Sequence, residues 1–595
     1  MTIRSGTQIV SALTAAVLLI GCGRTNSSSG DGEKVRYHAI SSKVKTMDPA
    51  QIGDVTSSGV ASQIYDPLYQ YHYLNRPYNI IPCAAAGMPK FSDDEMTVTV
   101  QLRNDMIFHD DECFPNGQGR AVEAEDFIYS WKRIADLKIV SGNWWVFDDH
   151  IVGLNEFRDY TGTVSKGEVD YDRPIEGLEA LDRHTIQIKL TKPWPQISYL
   201  LAHLPTAAVP REAVDKYGDE FMNHPIGTGP YMLDKWHRGS SIILVRNPSY
   251  RDEKYPSEGE LGDDQRGLLV DAGKKLPLVD RIEIKIVEED QPYWLLFMKG
   301  KIDRAGIPKD NFDKAVTPGR ELTPELAKKG ITLQIYDDPT TFWYGFNMED
   351  PVVGTNLPLR QAMNAALDRR EYIELFLNGR GQPARGFLPP LFKEYNPDID
   401  SPYTVHDIEK ARNLVQEAER VHGGPLPAIT ISFGSNDTTA RQAGQYLQRA
   451  MEKAGIRLEP DYMDWPTLQQ KVRTKSVQMY GMGWMADYPD AGNFMTIFHG
   501  PNTAPGPNGF NYQNDQFDAL FKKVVVMPDT PQRTEIYQKM EQIVVADLPF
   551  ILTFHREAFV LSYPWLNNYK PHVFGYGLMK YQNIDIEMRQ QKIRR

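Results

Sequence analysis

Between residues 407 and 485 the chain alternates helical and extended patterns, and this alternation restricts the fold more than any other feature of the sequence. Ile408, Ala411, Leu414, Val415 and Ala418 recur at helical spacing and stop at Gly423-Gly424. An extended run over 429–433 follows, then a second helical pattern over 439–454 and further strands. Helices set between strands predict a sheet with crossover connections, so this part of the chain is expected to be an α/β lobe. The pattern begins near 339, where PTTFWYGFNM reads as a strand carrying Phe342, Trp343 and Tyr344. An amphipathic helix is expected near 532–545.

The alternation ends in GMGWMADYPD, residues 481–490. Tyr480 and Met482 form an apolar strand end, and the two glycines allow close backbone packing. Pro489-Asp490 then signals a turn. Asp487 therefore sits where a strand breaks into a loop, flanked by Trp484 and Tyr488. Such an acid is well placed to hold a cation partly out of water. Core aromatics with Asp487 as a helix cap fit the same residues, and local pattern alone leaves both readings open.

At the other end, residues 1–21 predict an export signal, with Arg4 ahead of an apolar run from Ile9 to Ile20 that is short for a membrane span. The run closes on Leu19-Ile20-Gly21-Cys22, which resembles a bacterial lipobox with Cys22 as the lipidated residue. Residues 22–35, rich in Gly and Ser, suit a flexible tether. The expectation is an exported, lipid-anchored protein in the periplasmic or extracytoplasmic space. With 41% apolar and 24% charged residues and a net charge of −12, the body excludes disorder and offers nothing to nucleic acid. Thirty Tyr and ten Trp suit an adaptable cleft, although a large β-rich core uses them too. Cys83 and Cys113 remain once Cys22 is assigned; they either pair as a disulfide or stay as thiols, and the sequence leaves both open. His109, Asp110, Asp111 and Cys113 lie too close together on one hairpin to converge on an ion, so a polar turn is expected, with no metal and no cofactor.

Several motifs, in order from about residue 36 to the end, resemble the solute-binding protein family 5, the oligopeptide- and dipeptide-binding lipoproteins of ABC transporters. Met47-Asp48-Pro49 and Tyr65-Asp66-Pro67-Leu68 match its opening positions, and MTVTVQLRNDMIFHDD with Ala124-Glu125-Asp126-Phe127 matches a hairpin-and-helix signature. PIGTGPY at 225–231, Trp236 and Arg246-Asn247-Pro248-Ser249-Tyr250 form the most recognisable piece. Gly227-Thr228-Gly229-Pro230 lacks the Gly-Lys-Ser/Thr of a phosphate loop, so it reads as a tight turn. Leu359-Arg360-Gln361-Ala362, Asp368-Arg369, the W-M-A-D-Y run and Pro549 to Phe554 complete the match, while 256–276 looks like an exposed insertion.

The resemblance implies a bilobal α/β periplasmic-binding-protein-like fold. Lobe I would comprise 36–77, 199–338 and 555–595, with a subdomain inserted at 78–198. Lobe II would comprise 339–554, with hinge crossings near 338–341 and 551–555. It further implies a monomer that binds a peptide between the lobes and docks on an ABC transporter permease, with no chemistry on the ligand. Asp487 would take the peptide's α-ammonium, with Trp484, Met485 and Tyr488 around it. Asp54 and Val55 would lie along the ligand, and Trp144, Trp145 and Tyr344 would supply cleft aromatics. For Trp144 and Trp145, core packing fits equally well. The chain departs from the family's oligopeptide binder where that protein meets a carboxylate: its Arg is Gly481 here and its His is Thr439, with Arg441 a nearby substitute. A same-fold binder of a nickel chelate, a sugar or a cell-wall peptide is the nearest alternative. An exported hydrolase is more remote, since G-x-S-x-G and H-E-x-x-H are missing.

Overall fold

The computed structural model describes residues 32–593, Val140 excepted. The predicted signal peptide, Cys22 and most of the tether lie outside the described residues. Among the described residues, regular structure begins with strand Val35–Ile40.

Two long strands form the spine of the molecule. Thr332–Phe346 and Phe550–Ser562, both rich in β-branched and aromatic residues, pair antiparallel from Thr332 opposite Ser562 to Gly345 opposite Phe550. Their register shifts between Asp337 and Thr341, around Pro339, which has no amide to give to a ladder. The Pro339 carbonyl instead accepts the Ala486 N–H at 2.9 Å. These strands belong to a seven-stranded sheet that continues through Met479–Met485, Ile429–Phe433 and Leu458–Tyr462, with Arg304–Gly306 at the far edge and Gly381–Pro383 paired to Phe550–Ser562.

The expected crossovers are present. Strand Ile429–Phe433 runs parallel to Leu458–Tyr462 and to Met479–Met485, with helices Thr438–Lys453 and Trp465–Arg473 between them. Helix Ile408–His422 opens on Asp407, whose side chain accepts from the Lys410 N–H, and closes on Gly423 at φ 82°, a conformation that suits glycine. Helix Pro531–Asp547 occupies the stretch expected near 532–545.

A second, four-stranded sheet joins Val35–Ile40 to Arg281–Ile286, Ser241–Arg246 and Tyr231–His237, in that order. A third, antiparallel sheet of Lys90–Phe91, Thr97–Gln101, Thr185–Lys189 and Leu178–Asp182 lies within the predicted subdomain. Helix Ala124–Ala135 contributes Phe127, Trp131 and Ile134 to the same buried cluster as Ile242, Ile282 and Leu561, so this part shares one core with its neighbours.

The Gly227-Thr228-Gly229 turn presses onto Ile64: a Cβ on Gly227 would meet the Ile64 carbonyl oxygen at 2.1 Å, and the Gly229 N–H donates to it at 2.8 Å. Residues 256–276, expected as an exposed insertion, are partly docked. Leu268 and Leu276 pack with Tyr73 and Tyr581, and Asp263 accepts from Lys570 Nζ at 2.9 Å. Cys83 and Cys113 are both free. Cys83 is buried beside Asp66 and Arg251, whereas Cys113 sits in a turn whose N–H is held by Asp111, so the disulfide does not form.

Candidate functional site

Strand Met479–Met485 carries the chain to Asp487, and the turn after it is built by Asp490. Asp490 caps helix Ala491–Met495 through the Gly492 N–H and forms a buried ion pair with Arg533 at 2.7 Å. The turn's second acid is therefore satisfied within the protein. Asp487 is not satisfied in this way. Its Oδ2 accepts from Asn493 Nδ2 at 2.9 Å, and among the described residues no Lys or Arg forms a salt bridge with it. Asn493 Oδ1 accepts from Trp484 Nε1 at 2.9 Å and from the Asp487 N–H at 3.2 Å, so one amide fixes both the acid and the indole.

Asp487 lines a recess of about 50 Å³, space for a few water molecules, with Tyr71, Tyr199, His203 and Tyr576 opposite. Burial pushes its carboxyl above the usual range, against the attraction of His203 and the Asn493 bond. Burial likewise lowers the pKa of His203, whose Nδ1 has no partner. Tyr576 is pushed up to about 12 by burial and by Asp487. Tyr488 stacks on Tyr199 at 5.9 Å between centroids, and Trp145 meets the His203 ring edge-on at 5.8 Å. Segment 575–578 walls this recess and also a much larger cavity of about 810 Å³. The larger cavity is lined by Val55, Phe342 and Phe554 among others, and by Arg304, Arg380 and Arg556.

Of the residues expected at a site, Asp487 lines the recess and Val55 the large cavity, while Trp484, Tyr488 and Trp145 support the recess from behind. Met485 is exposed at the strand end. The other four occupy different environments. Asp54 caps helix Val55–Ala61, accepting from the Ser57 N–H at 2.8 Å and its hydroxyl at 2.9 Å. Trp144 lies under the Arg158 guanidinium at 4.7 Å. Tyr344 is a core residue: its ring packs on Phe433, its hydroxyl bonds that of Tyr372 at 2.8 Å, and it faces Gly481 across the ladder. Thr439 is exposed in the first turn of its helix and lines neither cavity. His109 bonds the Gly229 carbonyl at 3.0 Å, and Asp111 bonds Tyr217 and His224, so that hairpin is a braced turn.

Sequence reasoning missed Asn493, His203, Tyr71, Tyr199, Tyr576 and the three arginines. Only Asn493, six residues beyond Asp487 and just past the turn, left a local signal.

The comparisons with known proteins agree with this architecture. The chain is 22% identical over 557 residues to the oligopeptide-binding protein OppA of Bacillus subtilis (strain 168), covering 90% of this chain and 91% of that protein. It is 24% identical over 606 residues to heme-binding protein A of Haemophilus influenzae, covering 96% and 98%. The solved structure of the ABC transporter-associated periplasmic binding protein DppA from Helicobacter pylori, in complex with peptide STSA, superposes with a TM-score of 0.70 at 22% identity, covering 92% of this chain and 98% of that one. The model for bacterial extracellular solute-binding proteins, family 5 Middle, matches residues 79–506, and the chain belongs to this family.

Proposed function

We propose that this protein captures oligopeptides or dipeptides in the cleft between its lobes and delivers them to the permease of an ABC importer, held at a bacterial membrane by lipid on Cys22. Membership of family 5 makes the chain an extracytoplasmic binding protein rather than an enzyme. The observation that carries the peptide reading is Asp487: a carboxylate on a recess wall, oriented by Asn493, with no Lys or Arg ion pair among the described residues. A partly buried charge without a counter-ion is costly, and a ligand ammonium removes that cost. The recess is too small for a peptide residue in this conformation, so ligand entry requires it to open. The register break at Asp337–Thr341, opposite His555–Glu557, suits a hinge between 339–554 and the rest of the chain. Ligand contacts made to both lobes exist only when the cleft is shut, and that difference drives closure.

Mass spectrometry of ligand released from protein purified out of its export compartment tests this reading. A mixture of short peptides with free N-termini is expected. A single species with no amino group, whether a metal chelate, a sugar or a porphyrin, would overturn it.

A further inference from the structure

We propose that the large cavity contains a carboxylate-binding site formed by Arg380 and Arg556, with Arg304 as a third guanidinium on its wall, for the acidic end of the ligand. This rests on the peptide reading above. It supplies the counter-charge that Gly481 and Thr439 cannot.

Backbone register creates the site. Strand Gly381–Pro383 pairs with Phe550–Ser562 so that Gly381 lies opposite Arg556, and the Glu557 N–H donates to the Arg380 carbonyl at 3.4 Å. Arg380 and Arg556 are thereby neighbours at one sheet edge, and both line the cavity. Arg380 is held in place by carbonyls: Nε donates to Leu377 at 2.8 Å and Nη1 to Ile307 at 2.9 Å, with the guanidinium 5.1 Å from the centroid of the Phe312 ring. Among the described residues its Nη2 has no acceptor, and Arg556 is exposed with a guanidinium that bonds no other group. Arg304 donates from Nη1 to the Tyr569 hydroxyl at 2.7 Å.

None of the three arginines makes a salt bridge among the described residues, although acids are close by. Glu557 is taken by Arg320 at 2.8 Å, and Lys570, also on the wall, is neutralised by Asp263 and Glu260. Asp290 is the remaining acid on the wall, and it does not pair with any of the three. Burial lowers the Arg380 pKa, and the like charge of Arg556 lowers it further against the attraction of Asp290. A planar guanidinium fixed by carbonyls beside a second, free one presents several donors to a carboxylate, the geometry that favours charge-assisted bonds. Segment 575–578 walls both cavities, so an extended ligand can run along it from Asp487 to this cluster.

The test is calorimetric titration of three probes, each an alanine tetrapeptide or close variant: the free acid, its C-terminal amide, and an amide ending in Glu. Each is titrated into the wild type, Arg556→Gln and Arg380→Gln/Arg556→Gln. In the wild type the plain amide is expected to bind about ten- to a hundredfold more weakly than the free acid. In the double variant that difference should vanish, and Arg556→Gln should give an intermediate result. Since Arg556 is exposed and without a side-chain partner, the single variant keeps its fold even where the double one does not. Recovery of binding by the amide ending in Glu shows that a side-chain carboxylate is read as well as the terminus. A free-acid advantage that persists undiminished in both variants overturns the proposal; if an N-acetylated free acid, titrated alongside, still binds about two to three orders of magnitude more weakly there, the Asp487 reading stands without it. Failure of every peptide to bind the wild type removes both.

Discussion

The sharpest test of the binding mode is Asp487→Asn. The substitution removes one charge and little else, because the amide oxygen that replaces the carboxylate can accept the same bond from Asn493 Nδ2, now 2.9 Å long. Leaving a buried ion pair with one partner costs about 3–5 kcal/mol. At about 1.4 kcal/mol per decade, the affinity for a peptide with a free N-terminus should fall by about two to three orders of magnitude. An N-acetylated peptide should show the same loss against the wild type and little further loss against the variant. Calorimetric titration of both peptides into both proteins closes the cycle. Full additivity of the two losses would mean that the ammonium is held elsewhere and that Asp487 is structural. Stability of the empty protein gives an independent sign. Burial raises the folded-state pKa of Asp487 above its unfolded value, so the native state is penalised as pH rises through that range. The variant should therefore melt slightly higher than the wild type at neutral pH, with the gain disappearing in acid where the carboxyl is protonated in both states.

Three further outcomes are expected. Cys22→Ser should leave the precursor unprocessed or release the body from membranes, and unchanged processing and fractionation would refute the lipid anchor. Glu394 is buried, neither of its oxygens has a hydrogen-bond partner among the described residues apart from an ion pair with Lys393 Nζ at 3.8 Å, and burial followed by Asp490 pushes its pKa up to about 7. Its unfolded pKa lies lower, so stability should decline between about pH 4.5 and 7 and flatten above. Glu394→Gln should remove part of that decline in melting temperature, leaving the share of Glu541, which is also pushed up to about 7. Gly481→Ala should destabilise by about 1–3 kcal/mol in urea titration, because its Cβ would meet the Tyr344 ring at 3.2 Å; an unchanged midpoint would show that the ring gives way freely.

What the sequence disclosed follows the range of the forces involved. Helix Ile408–His422 and the strands beyond it were legible because their apolar spacing and glycine stop are local. The phosphate-loop reading of Gly227-Thr228-Gly229 could be rejected locally too, although its contact with Ile64 could not be foreseen. Insertion 256–276 is mostly exposed, as expected, but its docking could not be read locally, because Lys570, which holds it, lies 307 positions from Asp263. Site positions carried over by motif fall in different environments for the same reason. Asp487 needs only its own loop to face the recess, whereas Tyr344 is drawn into the core by Tyr372 and Phe433. Asp54 and Trp144 are claimed by Ser57 and Arg158. Arg380 and Arg556 look like ordinary surface cations in the sequence; only sheet register makes them neighbours.

Among the described residues, neither Asp487 nor Arg380 has a salt bridge within the protein. Asp487 is held by Asn493, and Arg380 by the carbonyls of Leu377 and Ile307, so neither can swing toward the other. The structure places them on different cavities, with segment 575–578 as the shared wall. Preorganisation of this kind keeps both desolvation costs in the empty state and returns them only to a ligand that carries both charges. A neutral sugar meets neither charge, and a simple anion meets one. On the proposed reading, an extended zwitterion would meet both while its backbone passed along the wall between them, and because the fixed groups would address its ends, the side chains between would be free to vary. Broad selection among peptides would then follow from where the charges sit, with no pocket required to recognise any one residue.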